Sequence, residues 1–218
     1  YWLHWGPESQ TGSIREQMEE RFQNVTRWLL FGSCDFDFLD ESLLPDLCTE
    51  AGNPLKVGAM SYDAVIIPGC ETLRSTTIER LKTFARAGKL ILMGEAPTMT
   101  DAVPGNDGAE LAALSRQIVF EKAALLEAVE PYRTLRLENE MGSLTNHYIY
   151  QLRIDQDCSW LFIAVGEPAG NPDFEKGSCE HRVKRQVHGE RIRYHDRKNP
   201  GCEDGKKRGA DGCKSYLL

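Results

Sequence analysis

The sequence predicts an α/β protein: a doubly wound, mostly parallel sheet of flavodoxin-like type, then an antiparallel hairpin and a polar tail expected to be disordered. Three observations predict it. Tyr62-Asp63-Ala64-Val65-Ile66-Ile67-Pro68 and Lys89-Leu90-Ile91-Leu92-Met93-Gly94 hold apolar runs without alternation, as strands covered on both faces require. A segment with helical spacing lies between them, the order of a βαβ crossover. From residue 147 the apolar period changes to two.

Taken in order, Ser13-Ile14-Arg15-Glu16 forms a capping box, and Ile14, Met18, Phe22, Val25, Trp28 and Leu29 follow at helical spacing, which predicts a helix over 13–31. Cys34-Asp35-Phe36-Asp37-Phe38-Leu39 alternates and reads as a strand; Asp40 then caps a short helix through Ser42, Leu43, Leu44 and Leu47. The Tyr62–Pro68 run is a buried strand ended by Pro68-Gly69. Ser75 caps a helix whose Ile78, Leu81, Phe84 and Ala85 face the sheet until Gly88, and residues 89–94 form the next strand. After a Pro- and Gly-rich loop, 97–108, come a helix near 108–116, a short strand at 118–120 and a helix at 121–129.

Tyr148, Tyr150, Leu152 and Ile154 alternate, 155–158 supply turn residues, and Trp160, Phe162 and Ala164 alternate again, which predicts a hairpin opening a second, β-rich unit. Beyond Gly166 the pattern stops: residues 167–218 hold 13 apolar side chains scattered among charges, Gly and Pro, too few to repay ordering. The expected domains are therefore 1–146, 147–166 and 167–218. The abrupt loss of periodicity also suggests that the tail is a truncated or frame-shifted continuation of the β unit.

Composition narrows the function. At 41% hydrophobic and 27% charged residues, with no apolar run near the roughly 20 residues of a membrane helix, a soluble protein without a membrane partner is expected. The net charge of −7 divides into 14 Lys+Arg against 24 Asp+Glu up to residue 166, and 12 against 9 beyond it, so the body does not invite nucleic acid. Seven Cys at irregular spacing fit no disulfide framework and imply reduced, cytoplasmic thiols. The opening Tyr1-Trp2-Leu3-His4 has neither an initiator Met nor a signal-peptide pattern, which suggests a removed start or an excised fragment.

In open α/β sheets the functional crevice lies at the carboxyl ends of the strands. Three segments qualify: Asp40-Glu41, Gly69-Cys70-Glu71 and Gly94-Glu95-Ala96-Pro97. Glu71 and Glu95 leave neighbouring strands in the same direction, and a carboxylate pair about 5 to 10 Å apart can hydrolyse a glycoside. The plainer reading is that both bond local backbone or cap a helix. Cys70 could be an activated thiolate if a base or a helix N-terminus lowered its pKa, yet neither His4 nor His147 has a spacing that argues for pairing. Asp40, Glu41 and Cys70 stand as binding residues.

No glycine pattern of a phosphate loop follows either strand, so no nucleotide cofactor is expected. In the tail, Cys179, His181, His188, His195, Cys202 and Cys213 lack the spacing of a zinc site, so no metal is expected. The aromatics of Tyr1-Trp2-Leu3-His4-Trp5 could stack on sugar rings, although a buried interface is the plainer reading.

Residues 62–77, Tyr-Asp-Ala-Val-Ile-Ile-Pro-Gly-Cys-Glu-Thr-Leu-Arg-Ser-Thr-Thr, followed by 89–97, Lys-Leu-Ile-Leu-Met-Gly-Glu-Ala-Pro, carry a resemblance. The chain resembles the glutamine-amidotransferase-like domain that follows the catalytic barrel in multidomain bacterial glycoside hydrolases of the β-galactosidase and α-rhamnosidase type. The likeness extends more loosely from Trp2 to the hairpin at Trp160-Leu161-Phe162-Ile163.

Amidotransferases carry a Cys nucleophile, beside a His, on the strained turn after the strand corresponding to Leu90–Met93. Here that turn reads Gly94-Glu95-Ala96, so the resemblance implies a domain without amide hydrolysis. It further implies that the acid and nucleophile belong to the preceding barrel, and that this unit packs on another domain of the same enzyme or forms a homo-oligomer. Such domains begin with a strand ahead of the Tyr1-Trp2 segment and run on into a β-sandwich, so both ends look incomplete. An accessory domain, structural or sugar-binding, is the expected function. A small glycosidase using Glu71 and Glu95, or a Cys70 hydrolase, are the alternatives.

Overall fold

The computed structural model describes residues 8–87, 89–138, 142–154 and 158–167, and the short segments 182–184, 191–193 and 213–217. In chain order its elements are α1 (Glu8–Phe31), α2 (Leu44–Leu47), β1 (Leu55–Val57), β2 (Met60–Tyr62), β3 (Val65–Pro68), β4 (Thr72–Leu73), α3 (Ser75–Ala85), β5 (Leu90–Met93), β6 (Met99–Thr100), β7 (Val103–Pro104), α4 (Asp107–Ala113), β8 (Arg116–Ile118) and α5 (Lys122–Val129). A 3₁₀ turn (Glu130–Tyr132) precedes β9 (Leu137–Glu138), β10 (Tyr148–Ile154), β11 (Cys158–Val165), β12 (Arg182–Lys184), β13 (Arg191–Arg193) and β14 (Cys213–Leu217). The chain divides into two compact units: one takes α1 as far as Trp28 together with Phe36–Tyr132, the other Leu29–Asp35 and the chain from Arg133.

The first unit is built on a parallel sheet in the order β3-β5-β8. Its central strand β5 is at most 2% exposed at every residue, which explains the unbroken apolar run that encodes it. Leu90 and Leu92 pack with Ile67 of β3, Leu81 and Phe84 of α3, and Leu111 and Ala112 of α4. Side chains alternate across a strand, so Ile91 and Met93 face the other way, and they are buried as well. With the strands in sequential order, α3 and α4 both pack on the Leu90 and Leu92 face. Lys82 of α3 bridges the two helices through Asp107 (2.9 Å) and Glu110 (2.7 Å) of α4.

Three expectations are corrected in this unit. Residues 34–40 form no strand: Phe36 and Phe38 do meet edge to face at 5.5 Å, as alternation requires, but no neighbouring strand supplies a ladder. Alternation specifies faces, not a partner. Asp40 does not cap α2 with its side chain; its carboxylate holds Ser42, while its carbonyl accepts from Leu43 and Leu44. The N-cap of α3 is Arg74 rather than Ser75. Two small elements had no sequence signal: the β1-β2 hairpin, and the ladder in which β6 pairs parallel with β4 and antiparallel with β7.

In the second unit β10 and β11 form the expected antiparallel hairpin, in register from Tyr148↔Val165 to Ile154↔Ser159. Its core unites Leu161 with Leu135 and Leu137, flanked by Tyr148, Tyr150, Leu152 and Ile163. Residues 133–138 thus group with the hairpin and not with the sheet they follow in sequence. Glu138, 6% exposed, pairs with the guanidinium of Arg136.

The disordered tail is corrected at three segments. β14 pairs parallel with β11, and β12 pairs antiparallel with both β13 and β9. Paired backbone needs only hydrogen-bonding neighbours, so low apolar content did not preclude these strands. The rest of the tail, with Cys179, His181, His188, His195 and Cys202, lies outside the described residues, as do the aromatic segment 1–5 and Gly88.

Candidate functional site

The candidate site is the carboxyl edge of the parallel sheet. β3 and β5 run side by side with Pro68 opposite Met93, so the turns that follow leave the sheet together. Both turns open on glycine in a left-handed conformation, Gly69 at φ 36° and Gly94 at φ 75°, where a side chain would strain the backbone. The Gly69 N–H donates to Ile67 O (3.1 Å) and the Gly94 N–H to Ile118 O (2.8 Å). Beyond them the two exits are stitched to each other: Glu71 O accepts from the N–H groups of Thr98 and Met99, both at 3.0 Å, and Leu73 O accepts from Asp101 N–H at 3.0 Å. Glu71 and Glu95, the two carboxylates singled out in the sequence, therefore stand on neighbouring turns, and both are exposed.

Cys70 and Glu41 also meet at this edge. Burial pushes the Cys70 thiol up to about 12, and the negative charge of Glu41 adds to the shift. A thiol so placed stays protonated near neutral pH and is a poor nucleophile. The described histidine, His147, belongs to the other unit.

Glu41 serves the backbone, since Arg74 N–H donates to its Oε2 at 2.8 Å. The next N–H of the helix start, that of Ser75, donates to Asp101 Oδ1 at 3.1 Å, and Ser75, through its side chain first and this N–H second, holds that carboxyl below its ordinary range. The N-terminus of α3 is thus closed by two carboxylates of the chain itself, which satisfy donors the helix leaves open. Asp40 is a turn builder. Its Oδ1 accepts from the hydroxyl of Ser42 (2.6 Å) and from its N–H (2.7 Å), and these bonds lower its pKa.

Two residues at the same edge carried no sequence signal. Arg21 of α1 reaches the first exit, where a Cβ on Gly69 would lie 3.5 Å from its Nη1 and 3.0 Å from Met93 O. Its guanidinium also sits 5.5 Å over the ring of Phe120, just beyond β8. Trp28, two turns further along α1, packs on the same ring with centroids 5.5 Å apart. A Cβ on Gly94 would touch Phe120 Cβ at 3.8 Å, so Phe120 stands beside the central exit as well. Among the described residues no carboxylate is paired with Arg21.

Among the described residues no group of three or more His, Cys, Asp or Glu is placed to hold a metal ion, and no helix is long and apolar enough to cross a membrane. Cys34, Cys48 and Cys70 form no disulfide. No protein-family model, no curated protein and no solved structure matches the chain.

Proposed function

We propose that the chain is an accessory domain of a carbohydrate-cleaving enzyme, of the amidotransferase-like, flavodoxin-like kind, in which the carboxyl edge of the sheet binds sugar without cleaving it. The observation that carries the reading is the turn after β5. Its left-handed position, where an amidotransferase-like elbow would carry a nucleophile, is Gly94, and the residue that follows is Glu95. Cys70, one exit away, is a protonated thiol. Burial on both faces of β5 supports the doubly wound form of the fold. Glu71 and Glu95, exposed on adjacent turns, favour sugar binding over a purely structural role, because carboxylates accept hydrogen bonds from sugar hydroxyls. Its partners on this reading are a carbohydrate, another domain of the same enzyme or further copies of the chain, in the cytoplasm.

The same exposed pair favours one second reading, a small glycosidase. Against it, neither side chain is enclosed, as a site that excludes bulk water from the scissile bond would require. Assaying the chain against a panel of nitrophenyl glycosides and against glutamine separates the two. The accessory domain releases neither nitrophenol nor ammonia; turnover abolished by Glu95→Gln would establish the glycosidase instead.

A further inference from the structure

We propose that Arg21 anchors the carboxylate of an acidic sugar, a uronic or aldonic acid, at the carboxyl edge of the parallel sheet. The inference rests on the sugar-binding reading above and names the substrate class of that site. A guanidinium is a planar fork of donors that matches a carboxylate with two parallel hydrogen bonds. At Arg21 that fork lies 5.5 Å over the ring of Phe120, on which Trp28 also packs. Gly69 leaves the approach open, since a side chain there would reach within 3.5 Å of Nη1.

Several backbone donors around it are already engaged. A phosphate cradle needs several free N–H donors. Here those of Gly69 and Gly94 are spent on Ile67 and Ile118, and those of Arg74 and Ser75 on Glu41 and Asp101. The Arg21 guanidinium, a single fork of donors, suits a carboxylate. Glu71 stands two residues beyond Gly69, and Glu95 follows Gly94; both disfavour a bare anion and offer acceptors to a ligand rich in hydroxyls.

Isothermal titration of the full chain with glucuronate, glucose, acetate and inorganic phosphate at low salt tests this. The expected result is glucuronate binding about tenfold or more tighter than glucose or acetate, the factor of one charge-assisted contact, with phosphate unable to compete. Arg21→Ala removes the preference for glucuronate over glucose, and Arg21→Lys recovers part of it. Equal affinity of the unaltered chain for glucuronate and glucose would overturn the role of Arg21 while sparing the sugar-binding reading. Binding of neither sugar would overturn both, and acetate or phosphate binding as tightly as glucuronate would overturn the ligand class. The comparison on the unaltered chain decides these outcomes even if a variant fails to fold.

Discussion

Cys70 is the residue at which position in the sequence and physical environment part company. It follows a parallel strand at the edge where nucleophiles gather, yet burial and the charge of Glu41 hold its proton. Iodoacetamide should therefore label Cys70 no faster than Cys34 at pH 8, with its rate rising only as pH climbs toward about 12; faster labelling of Cys70 at pH 8 would contradict the assignment. The sign for stability follows. A thiol whose pKa rises on folding, from 9.0 to about 12, lends stability below pH 9.0 that is lost as pH rises through that interval. Glu71 and Glu95 were legible because position after a buried strand is a local property. Glu41 was not legible as a capping group, since its partner Arg74 lies 33 residues away. Arg21 and Phe120 were equally hidden: an arginine on the polar side of an amphipathic helix announces nothing until the helix packs.

The strands and helices of the first unit show which patterns suffice. β3 and β5 were legible because burial on both faces demands an unbroken apolar run, whereas β4, β6 and β7, at two residues each, are shorter than any period. The junction of α4 depends on one position. A Cβ on Gly108 would lie 1.8 Å from Pro97 O, a backbone atom that cannot swing aside, so the first turn of α4 sits against the loop after β5 only because residue 108 is glycine. Gly108→Ala should destabilise the protein by about 1–3 kcal/mol, the range for overpacking a tight contact. Gly105→Ala, whose Cβ would meet nothing closer than Val103 O at 3.9 Å, should change stability by less than about 0.5 kcal/mol. Thermal melts of the two variants check the contrast, and equal losses would contradict the packing described.

For the whole molecule, the sequence pattern located the two kinds of architecture but not their border. The change of period at residue 147 marks where alternation becomes visible, while the contacts of Leu135 and Leu137 with Leu161 carry the second core back to Arg133. An isolated pair of leucines has no period, so that extension could not be read beforehand. The tail's scattered apolar residues likewise hid three paired strands. The functional reading stands or falls on the exits of β3 and β5 forming one ligand-binding edge. Two-dimensional ¹⁵N NMR of the full chain, recorded while glucuronate is titrated in, locates that edge residue by residue. The largest amide shifts are expected at residues 69–71, 94–96 and 120, with the sugar recovered intact; shifts centred elsewhere, or none at millimolar sugar, would contradict a shared binding edge.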